Sequence, residues 1–257
     1  MNFQNIPRKE KVIKRAIVPK LDYLLFADYA QIEMRILAYY MARMGDYSMA
    51  RVLGDPNVDL HNESATGIFM LDRAPSDPER QLGKNMNFSM VYGAGTPAVM
   101  RYLLEFKQES EQDIPVTYKY AKEVLKRFHA RWPGIAPFKE ALHNTYVSRG
   151  DVKTIAGFPL HPPSQHQELS EIVQSSAAEE TRKALIRCFA ELREMNSHLV
   201  SVVHDELIFD VDKTELDRLA EGIPGWMDAY PEVSTVVPIT VDLAISESNW
   251  ADKHALS

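Results

Sequence analysis

Between residues 23 and 43 the apolar positions change period. "YLLFADY", residues 23–29, is a run of apolar and aromatic side chains that reads as a strand. With no Gly or Pro between, a helix follows from about Gln31 to Arg43, in which Ile32, Ile36, Leu37 and Tyr40 recur at helical spacing. "RAPSDPE", residues 73–79, is a turn-rich break, and residues 80–92 read as a helix ending at "YGAG". Helices are expected around 117–131, 134–149 and 168–195, and "GDVKTIAGFPLHPP" reads as a short hairpin or strand pair with a Pro-rich exit. In "SVVHDELIFD", residues 201–210, two β-favouring arms flank three ionisable groups, so His204, Asp205 and Glu206 belong at a hairpin tip. A helix near 214–229 and a last strand near 236–245 follow. The pattern is α+β, a mixed sheet with strands from both ends of the chain and long helices around it. Without repeats or low-complexity tracts, one folded body is expected rather than two joined by a linker.

Composition narrows the class. At 257 residues, 45% hydrophobic and 25% charged, the chain can bury a substantial core and resembles an ordinary globular protein. Cys188 is the single cysteine, so no internal disulfide or zinc-type spacing is expected, and a reducing compartment follows. Arg8, Lys9, Glu10 and Lys11 have no apolar segment behind them and no stretch of about 18 apolar residues exists, so the expected location is the cytoplasm, with no membrane. The net charge of -7 is unevenly spread. Residues 1–20 carry six basic groups against Glu10, and residues 116–153 eight against three acids, whereas residues 204–257 carry twelve acids against Lys213, Arg218 and Lys253. Such runs fit a basic groove on an acidic body or simply solvated faces.

Two segments carry candidate chemistry. Asp28 ends the first strand just before a helix, where it could cap the helix or present a rigid carboxylate; Asp205 also sits at a strand end. Two such acids are what a pair of Mg²⁺ ions would need as bridging ligands. Held about 4 Å apart they would repel by ~4 kcal/mol at an effective dielectric of 20, which a cation relieves. In "ERQLGKNMNFSMVYGAG", residues 79–95, Arg80, Lys84 and Phe88 form one helical stripe with Tyr92 slightly further round. Two cations a turn apart can take successive phosphates, and the aromatic ring a base or sugar; the alternative is a surface pair above two core aromatics. "LGKN" is not a Walker A loop, lacking its first glycine and its closing Ser/Thr.

In this order the segments resemble the three polymerase motifs of family A DNA polymerases, the bacterial DNA polymerase I type. "DYAQIEMR" resembles D-Y-S-Q-I-E-L-R, "RQLGKNMNFSMVYG" the fingers helix R-x3-K-x3-F-x3-Y-G, and "VVHDEL" the family's V-H-D-E. "NFQNIPR", "DLHNESA" and "VQSSAAEE" extend the similarity over nearly the whole chain.

The resemblance implies a palm with an antiparallel sheet and helical fingers: palm over 1–70, mainly fingers over 71–160 with the motif helix at 80–93, and palm again over 161–257 with the hairpin near 199–212. It implies template-directed DNA synthesis with primer-template DNA and dNTPs as partners and two Mg²⁺ ions as cofactors, Mn²⁺ being able to substitute. Asp28, Asp205 and the Tyr29 carbonyl would be metal ligands and Glu206 a secondary acid. Arg80 and Lys84 would hold the triphosphate, Phe88 the sugar and base, and His61 a further phosphate, while Lys84 would also protonate pyrophosphate; Gln31 joins the nucleotide-binding set. Glu33 packed on Tyr92 would exclude a ribose 2′-hydroxyl, and phenylalanine at position 88 implies poor acceptance of dideoxynucleotides. Tyr92 and Gly93 would shape the template-base side, Arg35 and Gln174 would contact the duplex, Asn5 and Arg8 would lie near its backbone, and His204 would hold the primer terminus.

Ala30, Ser89 and Ser175-Ser176 depart mildly from the family pattern. In the family a thumb, the first part of the palm and a T-G-R arginine precede the "NFQNIP" match, which here follows Met1. The expectation is a fingers-and-palm portion, from a split gene or an incomplete frame, without thumb or exonuclease domain and suggestive of a phage. It would bind DNA weakly by itself and pair, through an exposed palm edge, with a separate polypeptide carrying the thumb and the N-terminal palm. Two other readings stand beside it: a catalytically inactive fragment that binds nucleic acid or a subunit, and a two-metal phosphohydrolase.

Overall fold

The computed structural model describes residues 11–91, 93–110 and 112–256; Asn5, Arg8 and Tyr92 lie outside them. In chain order the first elements are α1 (Lys11–Arg15), β1 (Tyr23–Tyr29), α2 (Ile32–Arg43), α3 (Ser48–Gly54), α4 (Leu60–Phe69) and α5 (Asp77–Val91). Next come α6 (Thr96–Ser110), α7 (Tyr118–Arg131), α8 (Ile135–Arg149), the two-residue strands β2 (Val152–Lys153) and β3 (Pro159–Leu160), and α9 (Glu168–Glu191). β4 (His198–Val203), β5 (Glu206–Val211), α10 (Leu216–Met227), α11 (Pro231–Ser234), β6 (Val241–Ser246) and β7 (His254–Ala255) complete the order. None of the described helices is long and apolar enough to cross a membrane.

Where one body was expected, the chain forms two compact units. The first holds the residues up to Ile32, Ala177–Ser234 and those from Ile239 on; the second holds Glu33–Ser176 and Thr235–Pro238. No linker marks the division because the chain passes from one unit to the other inside α2 and α9, where helical periodicity runs on without a break.

The first unit is built on a five-stranded sheet ordered β4-β5-β1-β6-β7, every neighbour antiparallel. β1 is central, and its unbroken apolar run is what a strand covered on both faces requires. Leu24 and Phe26 pack with Ile208 and Trp250, the Phe26 and Trp250 rings stacking at 6.2 Å. Leu25 and Ala27 are fully buried, and the next residue of that alternation, Tyr29, donates its hydroxyl to the Met227 carbonyl at 2.6 Å. β7 is unanticipated, and the strand expected near 236–245 is β6, which begins at Val241, later than the sequence pattern suggests. The cause lies just upstream: Pro238 has no amide hydrogen to give a ladder, and its carbonyl accepts from the Arg35 guanidinium within the second unit.

The second unit is helical. α7 and α8 match the periodicity of their segments, whereas α3, α4 and α6 lie in stretches the pattern left unassigned. Asp59 caps α4 by accepting from the Asn62 amide at 2.8 Å. α5 begins inside the turn-rich break because Glu79 reaches back to the Ser76 amide at 2.7 Å, one half of a capping box. Arg73 braces that carboxylate with two bonds of 2.8 Å. Further along α5 the lack of a side chain at Gly83 admits α4: a Cβ there would stand 2.3 Å from the His61 carbonyl oxygen and 3.0 Å from the Ala65 nitrogen.

Gly83→Ala is therefore expected to force α4 and α5 apart and to destabilise the second unit by ~1–3 kcal/mol, the usual cost of overpacking. A clear fall in the chain's thermal midpoint checks this, and an unchanged midpoint would show that the helices slide freely.

Candidate active site

The register of β1 brings one group of candidates together within the first unit. Asp28 is directly opposite Glu206 on one side and Asp242 on the other, so three carboxylates form a row across β5, β1 and β6. Side chains of register partners share a face, and like charges so placed destabilise a sheet. The hairpin tip brings Asp205 to the same row: burial, then the charges of Asp205 and Glu206, push the Asp28 carboxyl up to about 6. Asp242 adds to the rise, and Lys253 opposes it. The Lys253 ammonium forms an ion pair with the buried Glu206 carboxylate and lies over the Phe26 ring, 4.8 Å from its centre. A groove of about 720 Å³ opens over the row, lined by Phe26, Asp28, Glu206, Asp242, Lys253 and His254 among others.

Backbone strain collects beside these acids. His204, first of the two residues joining β4 to β5, has φ 58°, and Gln31, just after β1, has φ 60°. Left-handed backbone costs a residue with a Cβ roughly 1–2 kcal/mol, and such outliers cluster at functional sites. Gln31 also buries its side-chain oxygen without a hydrogen-bond partner.

Among the described residues, no three His, Cys, Asp or Glu side chains gather into a cage for an ion. The donors nevertheless fit Mg²⁺, which uses one or two carboxylates and leaves its other positions to water and phosphate. The crowded carboxylates that raise the Asp28 pKa also supply the field in which a cation is stabilising.

A separate group of candidates lies within the second unit. Arg80, Lys84 and Phe88 share one half-exposed face of α5, while Leu82, Gly83, Met86 and Asn87 on other faces are buried. Arg80 donates to Asp59 at 2.7 Å. Burial works against it, but the Arg80 guanidinium and the Asn62 amide still hold the Asp59 carboxyl below its ordinary range. His61 stands on α4 with its ring 6.0 Å from that of Phe88. Burial, aided by the charges of Arg80 and Lys84 and opposed by Asp59, lowers the imidazole to about 4, so at neutral pH it is uncharged.

The remaining candidates are scattered. Glu33 is half-buried in the first turn of α2, and the partner expected for it, Tyr92, lies outside the described residues. Arg35 is buried and donates from one guanidinium nitrogen to the carbonyls of Leu53, at 3.1 Å, and Pro238. Gln174 is exposed on α9. Gly93 has φ 71°, and a Cβ there would meet the His166 carbonyl oxygen at 2.7 Å, so only glycine fits. Asp242, Lys253, Asp59 and Asn87 were not anticipated; the one signal for Asp59 was its place in the "DLHNESA" match.

Residues 1–252 match the family model described as DNA polymerase family A. The chain is 28% identical over 269 residues to a thermostable DNA polymerase I of Thermus filiformis, a match covering 98% of this chain and 30% of that protein. It is 30% identical over 271 residues to the DNA polymerase I of Bacillus caldotenax, covering 98% and 29%. The chain thus spans under a third of these relatives. Its fold resembles that of the POL domain of Pol1 from M. smegmatis in complex with DNA primer-template and dNTP, at a TM-score of 0.80 and 24% identity, covering 97% of this chain and 44% of that one.

The Asp28 shift has a definite sign. A carboxyl raised from 3.8 to about 6 leaves the fold unpenalised below pH 3.8, and its destabilisation grows as the pH rises and is full above about 6. In metal-free buffer Asp28→Asn is expected to raise the thermal midpoint at pH 7.5 and leave it unaltered below pH ~4. A lower midpoint at pH 7.5 would mean that the charge is already compensated within the fold.

Proposed function

Since the chain belongs to DNA polymerase family A, we propose that it carries out template-directed DNA synthesis, joining deoxynucleotides to a primer 3′-hydroxyl. The observation that carries this reading is the carboxylate row, in which Asp28 at the end of β1 meets the Asp205–Glu206 hairpin tip. Asp28, Asp205 and the Tyr29 carbonyl would hold two Mg²⁺ ions, with Glu206 as a secondary acid. The chemistry that bound Mg²⁺ supplies is a more acidic 3′-hydroxyl and neutralised charge on the departing pyrophosphate.

The chain's own groups do the rest. Arg80 presents a planar fork to the triphosphate, already held outstretched by Asp59, and Lys84 a turn later adds a point charge. Lys84 is also placed in sequence to protonate the leaving pyrophosphate. His61 contributes a neutral phosphate contact, and Phe88 stacks on the sugar and base. Glu33, with Tyr92, excludes a 2′-hydroxyl, and Gln31 holds its strained position for the nucleotide. His204 steadies the primer terminus, Gly93 lets the template side approach closely, and Arg35, Gln174, Asn5 and Arg8 meet the duplex.

The same reading assigns palm to residues 1–70 and 161–257 and mainly fingers to residues 71–160. It also calls for a partner. Among the described residues β4 is an outer strand of the sheet, with Val200 exposed, a place suited to docking by a polypeptide that brings the thumb and further palm strands.

Primer extension with Mg²⁺ and all four dNTPs, by the chain alone and with a thumb-and-palm fragment of a relative, tests both proposals. Extension is expected on complementation and is abolished by Asp28→Ala or Asp205→Ala with DNA retention little changed. Extension by the chain alone would remove the need for a partner, and none under either condition would favour an inactive nucleic-acid-binding fragment. Glu33→Ala is expected to relax rejection of ribonucleotides, measured as the ratio of rNTP to dNTP incorporation; an unchanged ratio would assign the gate elsewhere.

A further inference from the structure

We propose that Asn87 is a positioning residue that decides which nitrogen of His61 carries the proton, as the last link of a one-way hydrogen-bond chain from Trp132 through Ser64. The chain starts at a group with no choice: an indole N–H can only donate, and that of Trp132 donates to Ser64 Oγ at 3.0 Å. Ser64 has one hydrogen and two possible acceptors, Asn87 Oδ1 at 2.6 Å and the Leu60 carbonyl at 3.1 Å. The shorter contact decides. A separation of 2.6 Å suits O–H···O and is too short for N–H···O, so the amide atom facing Ser64 is the oxygen and it accepts.

The Asn87 amide then has its NH₂ toward His61 Nδ1, 2.9 Å away. That nitrogen must accept, which leaves the proton on Nε2. Trp132 and Ser64 are 0% exposed, Asn87 1% and His61 3%, so bulk water cannot stand in for any link. The chain joins three elements: Trp132 follows α7, Ser64 and His61 lie on α4, and Asn87 lies on α5.

The direction matters for an anion. With the proton on Nε2, a neutral ring offers an N–H to a phosphate oxygen; in the opposite tautomer a lone pair would face it and repel. Asn87 shares α5 with Arg80 and Lys84, so one helix both presents two cations and sets the polarity of the neutral donor beside them. This consequence rests on the phosphate role proposed for α5, whereas the tautomer itself does not.

Long-range proton–nitrogen NMR of the whole chain with ¹⁵N-labelled histidine, at pH 7 and without nucleotide, reads the tautomer directly. His61 is expected to be neutral with its proton on Nε2. Asn87→Asp, which replaces the NH₂ by an acceptor, is expected to put a proton on Nδ1. Trp132→Phe removes only the initial donor, so it serves if the aspartate variant does not fold, and a mixture of both tautomers is expected. A wild-type proton on Nδ1, or an unaltered tautomer in both folded variants, overturns the proposal. Added inorganic tripolyphosphate should shift Nε2 in the wild type; if it does not, the phosphate role of this site fails while the tautomer assignment stands.

Discussion

Repulsion among the carboxylates of β5, β1 and β6 is the constraint around which the first unit is built. Neighbouring acids in such a row are separated by about one strand spacing, ~5 Å, where two full charges repel by ~3 kcal/mol at an effective dielectric of 20. The sheet forms nonetheless because the same strands bury Leu24, Leu25, Phe26, Leu207 and Phe209 almost completely, each contributing ~1.5–3 kcal/mol. Lys253 offsets part of the repulsion at Glu206, while burial first and the neighbouring charges second make Asp28 reluctant to ionise. Crowded carboxylates of this kind make a field in which a cation is stabilising.

The second unit meets the opposite electrostatic problem by different means. It keeps two cations on a half-exposed helix face, pairs one with Asp59, and keeps the nearby imidazole neutral by burial. The close passage of α4 against α5 at Gly83 allows this, because it puts the His61 backbone against the motif helix while Asn87 reaches the ring. Glycine there is a packing requirement; at Gly93 it is both packing and backbone conformation.

Much of this was legible in the sequence. β1, α2, α7 and α8 follow local periodicity, and the hairpin follows from two β-favouring arms around a polar tip. Asp28 and Asp205 could be picked out as strand-end acids, and Arg80, Lys84 and Phe88 as a stripe, because each rests on spacing within one element. Asp242 and Lys253 could not, since a carboxylate in a strand and a lysine in a polar tail read as solvated groups until register and packing place them beside Asp28 and Glu206. Arg35, a duplex contact by the family resemblance, has its guanidinium drawn inward by the Leu53 and Pro238 carbonyls, which no local pattern signals.

The sequence by itself determined β1, α2, α7, α8 and the β4–β5 hairpin, and the identity of the strand-end acids and helix cations, because these depend on residues within a few positions of one another. It determined the family through ordered motifs along the chain. Only the tertiary structure decided that three acids share a row, that a lysine neutralises one of them, and that an indole far along the chain orients the amide beside His61. Those outcomes depend on strand register and on helix approach, set by the packing of segments up to about two hundred residues apart.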